Sequence, residues 1–239
     1  MNRIKLYCLP YAGGSKYVYN DWIRIYSEAA EIIPIEYSGH GERYGEPFYR
    51  SPDEAAEDIA EMIMSDKPER YALYGHSLGG TLGFLVTKKL EEDYSCKPLT
   101  LMIGGSRPPH LKYKNEKWLS LSKNEFMQRI YMMGQTDESI MKEKELYDLL
   151  YKILYADIKI NEECFIPEDS SKISVPILAM AGYDDERAPE SDMIEWRQYT
   201  TGDFSHRSFP SNHFFSFNCD SFPDFLLDRL RMLSKVTDD

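Results

Sequence analysis

The sequence predicts an α/β fold, a mostly parallel central sheet flanked by helices. Three observations predict it. Short apolar runs alternate with segments of helical periodicity along the chain. Several of those runs stop at glycine or proline, where a strand passes into a loop. At 239 residues the chain is also long enough to bury a core without disulfide or metal staples.

The first strand is Ile4-Lys5-Leu6-Tyr7-Cys8-Leu9, ended by Pro10 and the pair Gly13-Gly14. Tyr19, Trp22, Ile23 and Tyr26 then recur at helical spacing. A second strand is expected at Ile32-Ile33-Pro34-Ile35-Glu36-Tyr37, and its proline places it at or near a sheet edge. Ser51-Pro52-Asp53-Glu54 reads as a helix start: Ser51 caps, Pro52 suits the first turn, and Glu54 completes a capping box. That helix runs to about Met64. A third strand, Tyr71-Ala72-Leu73-Tyr74, leads through a glycine-rich turn into a helix reaching Leu90. Further strands follow at Leu99 to Ile103, Pro176 to Ala181 and Phe204 to Phe209, with a closing helix from Asp224 to Leu233.

The fourth and fifth strands lie some 70 residues apart, too far for one crossover. Ser122 and Glu125 form a second capping-box pattern, and Tyr147, Leu150, Tyr151, Leu154 and Tyr155 make an apolar stripe. A helical insertion over roughly 107–172 is therefore expected within a single domain spanning 1–239. At this end of a parallel sheet it would cover the carboxyl ends of the strands, where ligands bind, as a lid.

Hydrophobic residues make up 42% and charged residues 28%, which excludes a disordered tail or a disulfide mini-scaffold. The net charge of −12 argues against a general nucleic-acid grip. No apolar stretch is long enough to span a bilayer, so no membrane contact is expected. Cys8, Cys96, Cys164 and Cys219 are scattered, with no metal-ligand spacing, and read as buried free thiols of a reducing compartment. With an N-terminus that enters a strand directly, this predicts a cytoplasmic protein.

The chemistry concentrates at Gly75-His76-Ser77-Leu78-Gly79, a G-x-S-x-G pentapeptide between a strand and a helix. That turn exposes a serine hydroxyl at a helix N-terminus, where developing negative charge is favoured. Serine needs a base, and in this class the chain order is Ser, acid, His. His213 follows the sixth strand in a loop, whereas His206 falls within the strand and would be pinned to the sheet. The loop after the fifth strand offers Asp184 and Asp185, of which Asp185, three residues past Gly182, is preferred. The expected oxyanion donors are the amides of Leu78 and of Ala12, in the loop Pro10-Tyr11-Ala12-Gly13-Gly14. An ordinary sharp turn is the alternative reading of that loop.

Taken together these residues resemble the type II thioesterases that serve nonribosomal peptide and polyketide synthases. The likeness covers nearly the whole chain. Leu9 to Gly14 is similar to F-P-x-A-G-G, and Ser38-Gly39-His40-Gly41-Glu42-Arg43 to P-G-R-G-x-R, with Ser38 and His40 in place of Pro and Arg. Glu46-Pro47, Arg107-Pro108-Pro109-His110 and His213-Phe214-Phe215 also match. Ser211-Asn212 departs from the family's glycine-rich approach to the histidine.

The resemblance implies the α/β-hydrolase fold and an editing hydrolase that frees acyl groups from the phosphopantetheine thiol of acyl or peptidyl carrier proteins. Ser77 would attack the thioester, with Asp185 and His213 completing a triad and no cofactor or metal required. In the insertion, Met127, Met132 and Tyr131 are the expected acyl-binding residues, with Met133, Met141, Tyr147, Tyr151 and Tyr155 as further candidates. Mutual packing of the insertion's helices is the alternative for these positions. Lys112, Lys114 and Lys117 could meet a phosphate or an acidic carrier surface, or be a solvated edge. Two other functions compete: a general carboxylesterase or acyl-thioester hydrolase of the same fold, and an inactive carrier-binding protein.

Overall fold

The computed structural model describes residues 3–111, 118–133, 138–164 and 172–235. Lys112, Lys114 and Lys117 lie outside the described residues, as does the side chain of Met141. The elements run β1 (Ile4–Leu9), α1 (Asn20–Ile25), β2 (Ala30–Pro34), α2 (Pro52–Ser65), β3 (Tyr71–His76), α3 (Leu78–Glu92) and β4 (Leu101–Gly104). Then come α4 (Lys123–Met132), α5 (Glu138–Lys142), α6 (Lys144–Glu163), β5 (Ile177–Gly182), α7 (Glu190–Met193), β6 (Phe204–Phe209), α8 (Phe215–Asn218) and α9 (Phe222–Lys235).

The six strands form one sheet in the order β2-β1-β3-β4-β5-β6, and every pairing is parallel. A parallel sheet must be covered on both faces, and alternate strand residues divide between two cores. In β1, Tyr7 and Leu9 join a cluster with Ile59 of α2 and Leu82 of α3. Leu6 and Cys8 point the other way, toward Trp22 of α1 and Leu226 of α9. β2 is an edge strand, and Pro34 ends it opposite Cys8. Tyr37, which the sequence places in that strand, lies beyond its end. Its buried hydroxyl donates to the Pro10 carbonyl at 2.9 Å.

The helix starts follow their caps. Ser51 accepts from the Glu54 amide at 3.1 Å, but the Glu54 carboxylate takes the Arg50 amide at 2.7 Å rather than closing the box on Ser51. At α4 the box is complete, with Ser122 and Glu125 each accepting the other's amide. In α1, Trp22 is buried while Ile23 is exposed, so the apolar face runs through Tyr19, Trp22 and Tyr26. Between β4 and β5, helices α4 and α6 pack around a third cluster of Trp118, Phe126, Met127, Ile130, Leu154 and Ile158.

The chain order reverses direction across the sheet between β1 and β3, since β2 lies on one side of β1 and β3 on the other. In open parallel sheets such a switch point opens a crevice at the carboxyl ends of the strands. The loop after β1 and the turn after β3 meet there.

Candidate active site

Ser77 sits at the junction of β3 and α3 with φ 54° and ψ −114°, a conformation costly for any residue with a side chain. The two glycines of the pentapeptide make that turn possible. A Cβ on Gly75 would stand 2.0 Å from the Gly79 carbonyl oxygen, and one on Gly79 would stand 2.1 Å from the carbonyl oxygen of Leu9. No side chain fits at either place, so the start of α3 lies directly against the end of β1. The Ser77 amide donates to the Gly104 carbonyl at 2.8 Å, and the Ser77 carbonyl accepts from Gly80 at 3.0 Å. The strained residue is thus pinned on both sides. Leu78 is the first residue of α3, and the leading amides of a helix have no carbonyl within it to bond.

Of the two acids after β5, Asp185 is buried and Asp184 is exposed. Asp185 Oδ2 lies 2.8 Å from His213 Nδ1. Its other oxygen accepts the amides of Arg187 at 2.9 Å and Ala188 at 3.0 Å. Burial alone would push this carboxyl up. The His213 hydrogen bond and charge, with the Ala188 and Arg187 amides, outweigh burial and hold it below the usual carboxylate value. Asp185 is therefore ionised at neutral pH and can accept an Nδ1–H proton, which leaves Nε2 as the nitrogen available to act as a base.

His213 follows β6 on a turn in which Asn212 Oδ1 accepts the Phe214 amide at 3.0 Å. Its ring is 5.4 Å, centroid to centroid, from that of His76, the residue before Ser77. A Cβ on Gly105, which follows β4, would stand 3.1 Å from His213 Cε1. His213 thus lies over the carboxyl ends of β3 and β4, beside the turn that carries Ser77. His206 is elsewhere, within β6, paired with Glu190 at 3.2 Å.

His76 is fully buried, and its ring packs among Phe214, Phe215 and Phe217. Burial, and then the proximity of His213, push its pKa down to about 3, so it stays neutral beside the site. His110 stacks on Tyr199, whose hydroxyl lies 2.9 Å from His110 Nδ1.

A cavity of about 230 Å³ opens beside Ala12 and Gly13, lined by Tyr11, Ile130, Met133, Leu150, Leu154 and Phe214 among others. Met127, Tyr131 and Met132, the residues expected to bind an acyl chain, are not among those that line it. Met127 is fully buried against Trp118 and Phe126, inside the cluster between α4 and α6. Tyr131 and Met132 face outward, with Met132 79% exposed. The phase of α4 brings Ile130 and Met133 to the cavity instead. Apolar periodicity marked this helix but not which side of it would meet open space. Tyr147, Tyr151 and Tyr155 pack against the same cluster. Among the described residues no group of three metal-ligating side chains is placed to hold an ion, and no helix is long and apolar enough to cross a membrane.

Comparison with known proteins converges on one family. Residues 4–231 match the thioesterase domain. The chain is 31% identical over 216 residues to thioesterase PikA5 of Streptomyces venezuelae, covering 89% of this chain and 75% of that protein. Among solved structures, RedJ, a thioesterase from the prodiginine biosynthetic pathway in Streptomyces coelicolor, superposes with a TM-score of 0.86 at 30% identity. That match covers 96% of this chain and 90% of RedJ. ClbQ, from the colibactin NRPS/PKS pathway, matches at 26% identity and a TM-score of 0.86, covering 97% of both chains. With a parallel six-stranded sheet, a strained serine turn after its third strand and a family match over nearly its whole length, the chain is a hydrolase of the α/β-hydrolase fold that belongs to the thioesterase family.

Proposed function

We propose that the protein is an editing thioesterase of nonribosomal peptide or polyketide biosynthesis. It hydrolyses acyl groups from the phosphopantetheine thiol of acyl or peptidyl carrier proteins through an acyl-serine intermediate. The observation that carries the reading is the His213–Asp185 pair at 2.8 Å, lodged beside the strained turn of Ser77. The pathways named for RedJ and ClbQ support the choice of substrate.

Ser77 Oγ attacks the thioester carbonyl while His213 takes its proton. Asp185 orients the imidazole and stabilises its charged form. The Leu78 and Ala12 amides receive the oxyanion, and no metal or organic cofactor enters the scheme. The tetrahedral intermediate collapses with loss of the pantetheine thiol. A thiol, with a pKa of about 8–9, needs less proton assistance than an alkoxide or amine. Water then attacks the acyl-serine with His213 again as base, which frees the acid and restores Ser77.

In this reading one domain spans 1–239, and the segment of roughly 107–172 is its lid. The acyl chain occupies the apolar cavity between the Ala12 loop and helices α4 and α6. The site of action is the cytoplasm, consistent with four free cysteines of which three are buried.

The test is hydrolysis of acyl groups, from acetyl to medium chain, loaded on a phosphopantetheinylated carrier protein. Aryl esters serve as the comparison. Preference for the carrier thioesters, and a fall of about 10⁴-fold or more in Ser77→Ala, are expected. Faster turnover of the aryl esters would leave a general esterase. Unchanged function in Ser77→Ala would leave a carrier-binding protein.

A further inference from the structure

One buried carboxylate joins three parts of the molecule around the Ala12 loop. Asp157 belongs to α6 and is 5% exposed. Its Oδ2 accepts the Gly13 amide at 2.7 Å and lies 3.0 Å from His40 Nε2. His40, 3% exposed, places its other nitrogen, Nδ1, 3.0 Å from the Ser38 carbonyl oxygen. A neutral imidazole has one N–H. Here both nitrogens face acceptors, and only the imidazolium donates to both. It also supplies the counter-charge without which a buried carboxylate is costly.

The surroundings agree with a charged ring. Burial alone would lower the pKa of His40, but Asp157, the Ser38 carbonyl and Glu36 outweigh it and raise it. Asp157 faces the ring from α6 and Glu36 from the segment after β2. Glu36 itself accepts the amides of Lys16 at 3.0 Å and Glu42 at 3.2 Å. The other ring neighbours are the Tyr37 phenol, bonded to Pro10, and Phe48. Unlike a guanidinium, an imidazolium can lose its charge near neutral pH.

The Gly13 amide shares a peptide plane with the Ala12 carbonyl, one Cα away from the Ala12 N–H. Holding that plane limits the directions in which the Ala12 N–H points. Leu154, one turn before Asp157, seats on the same glycine. A Cβ on Gly13 would stand 2.6 Å from Leu154 Cδ2, and the φ of +79° independently favours glycine.

We propose that His40 and Asp157 are positioning residues for the oxyanion donor: protonated His40 holds the Asp157 carboxylate, and that carboxylate holds the Gly13 amide so that the Ala12 N–H faces the reacting carbonyl. The inference rests on the role of Ala12 in the proposed function. Because the native pKa of His40 is raised, the arrangement is complete at and below the histidine's ordinary value, about 6.5, and is lost as pH rises through the higher native value. Turnover therefore acquires a falling alkaline limb that belongs to His40.

The experiment measures kcat and KM for hexanoyl-coenzyme A from about pH 6 to about pH 10 in the wild type, His40→Arg, His40→Gln and Asp157→Asn. In the wild type kcat falls about tenfold across the alkaline limb with KM little changed, less than the 10²–10³ typical of deleting an oxyanion donor. His40→Arg keeps its charge throughout and loses that limb. His40→Gln and Asp157→Asn run about tenfold or more below the wild type at neutral pH, without the limb. Thermal melts with intact cooperative transitions separate mispositioning from unfolding. An alkaline limb unchanged in His40→Arg, or a folded His40→Gln with wild-type kcat, overturns the proposal. Activity surviving in Ser77→Ala would instead overturn the reading of the site itself.

Discussion

At the scale of single residues, the proposed mechanism has the site trade stability for reactivity at Ser77. A non-glycine residue at φ 54° and ψ −114° stores about 1–3 kcal/mol of strain. Ser77→Gly relieves it, less the entropy glycine adds to the unfolded chain, so a net gain of about 1 kcal/mol is expected along with loss of turnover. Urea denaturation with a parallel thioester assay checks both. Asp185 carries a pH signature of opposite sense to that of His40. Its carboxyl is depressed in the fold, so its contribution to stability is present above the unfolded value of about 3.9 and is lost as pH falls through the lower native value. In Asp185→Asn, kcat should drop by about 10⁴-fold. The stability gap to wild type should narrow below about pH 4, as read from denaturation midpoints at stepped pH. Of the two acids past Gly182, Asp185, which the sequence favours by its spacing, is the one buried against His213. The His40–Asp157 pair was not legible in the sequence. Its members are 117 positions apart, and nothing in the sequence around Asp157 distinguishes it from the solvated acids of the same helix.

At the scale of elements, strands and helix starts were the most legible because each is marked by local chemistry. Ser51 caps α2 as expected, and Ser51→Ala should cost about 1 kcal/mol in a denaturation experiment. Ser122 caps α4 in the same way. That helix shows where reading stops. Phe126, Met127 and Ile130 all turn inward, and the side chains chosen as acyl contacts fall either in the packed interior or on the outer face. The contents of a cavity depend on where two helices stop approaching each other, which no single segment encodes. Ile130 and Met133 therefore become the informative positions. Ile130→Ala is expected to raise KM for medium-chain thioesters by about tenfold while acetyl transfer to water changes little, since a few lost methylenes are worth about 1–3 kcal/mol of discrimination. A chain-length series of kcat/KM for both proteins provides the check.

Across the whole molecule, two apolar clusters cover the sheet and a third holds the helices between β4 and β5. Ala12 touches both the third cluster and the one shared by α2 and α3, while Ile160 of α6 reaches into the latter. Helix α6 is tied to the body by Asp157, which meets Gly13 and His40, and by Ile160, whereas α4 packs on α6, so α4 should open locally at lower cost than the sheet. Native-state hydrogen exchange is expected to show α4 amides exchanging well before those of β1, β3 and α3. Leu226→Ala, by contrast, cuts into a sheet cluster and should lower global stability by about 2–5 kcal/mol. The groups assigned to chemistry are spread along nearly the full length of the chain, at the ends of β1, β3, β5 and β6. This ordering bears on synthesis at the ribosome. A nascent chain that has emerged only through Phe209 has all six strands but no imidazole at 213. In the proposed mechanism hydrolysis must await the few further residues that bring out His213, so emergence of that loop, rather than completion of the sheet, would mark the birth of the enzyme.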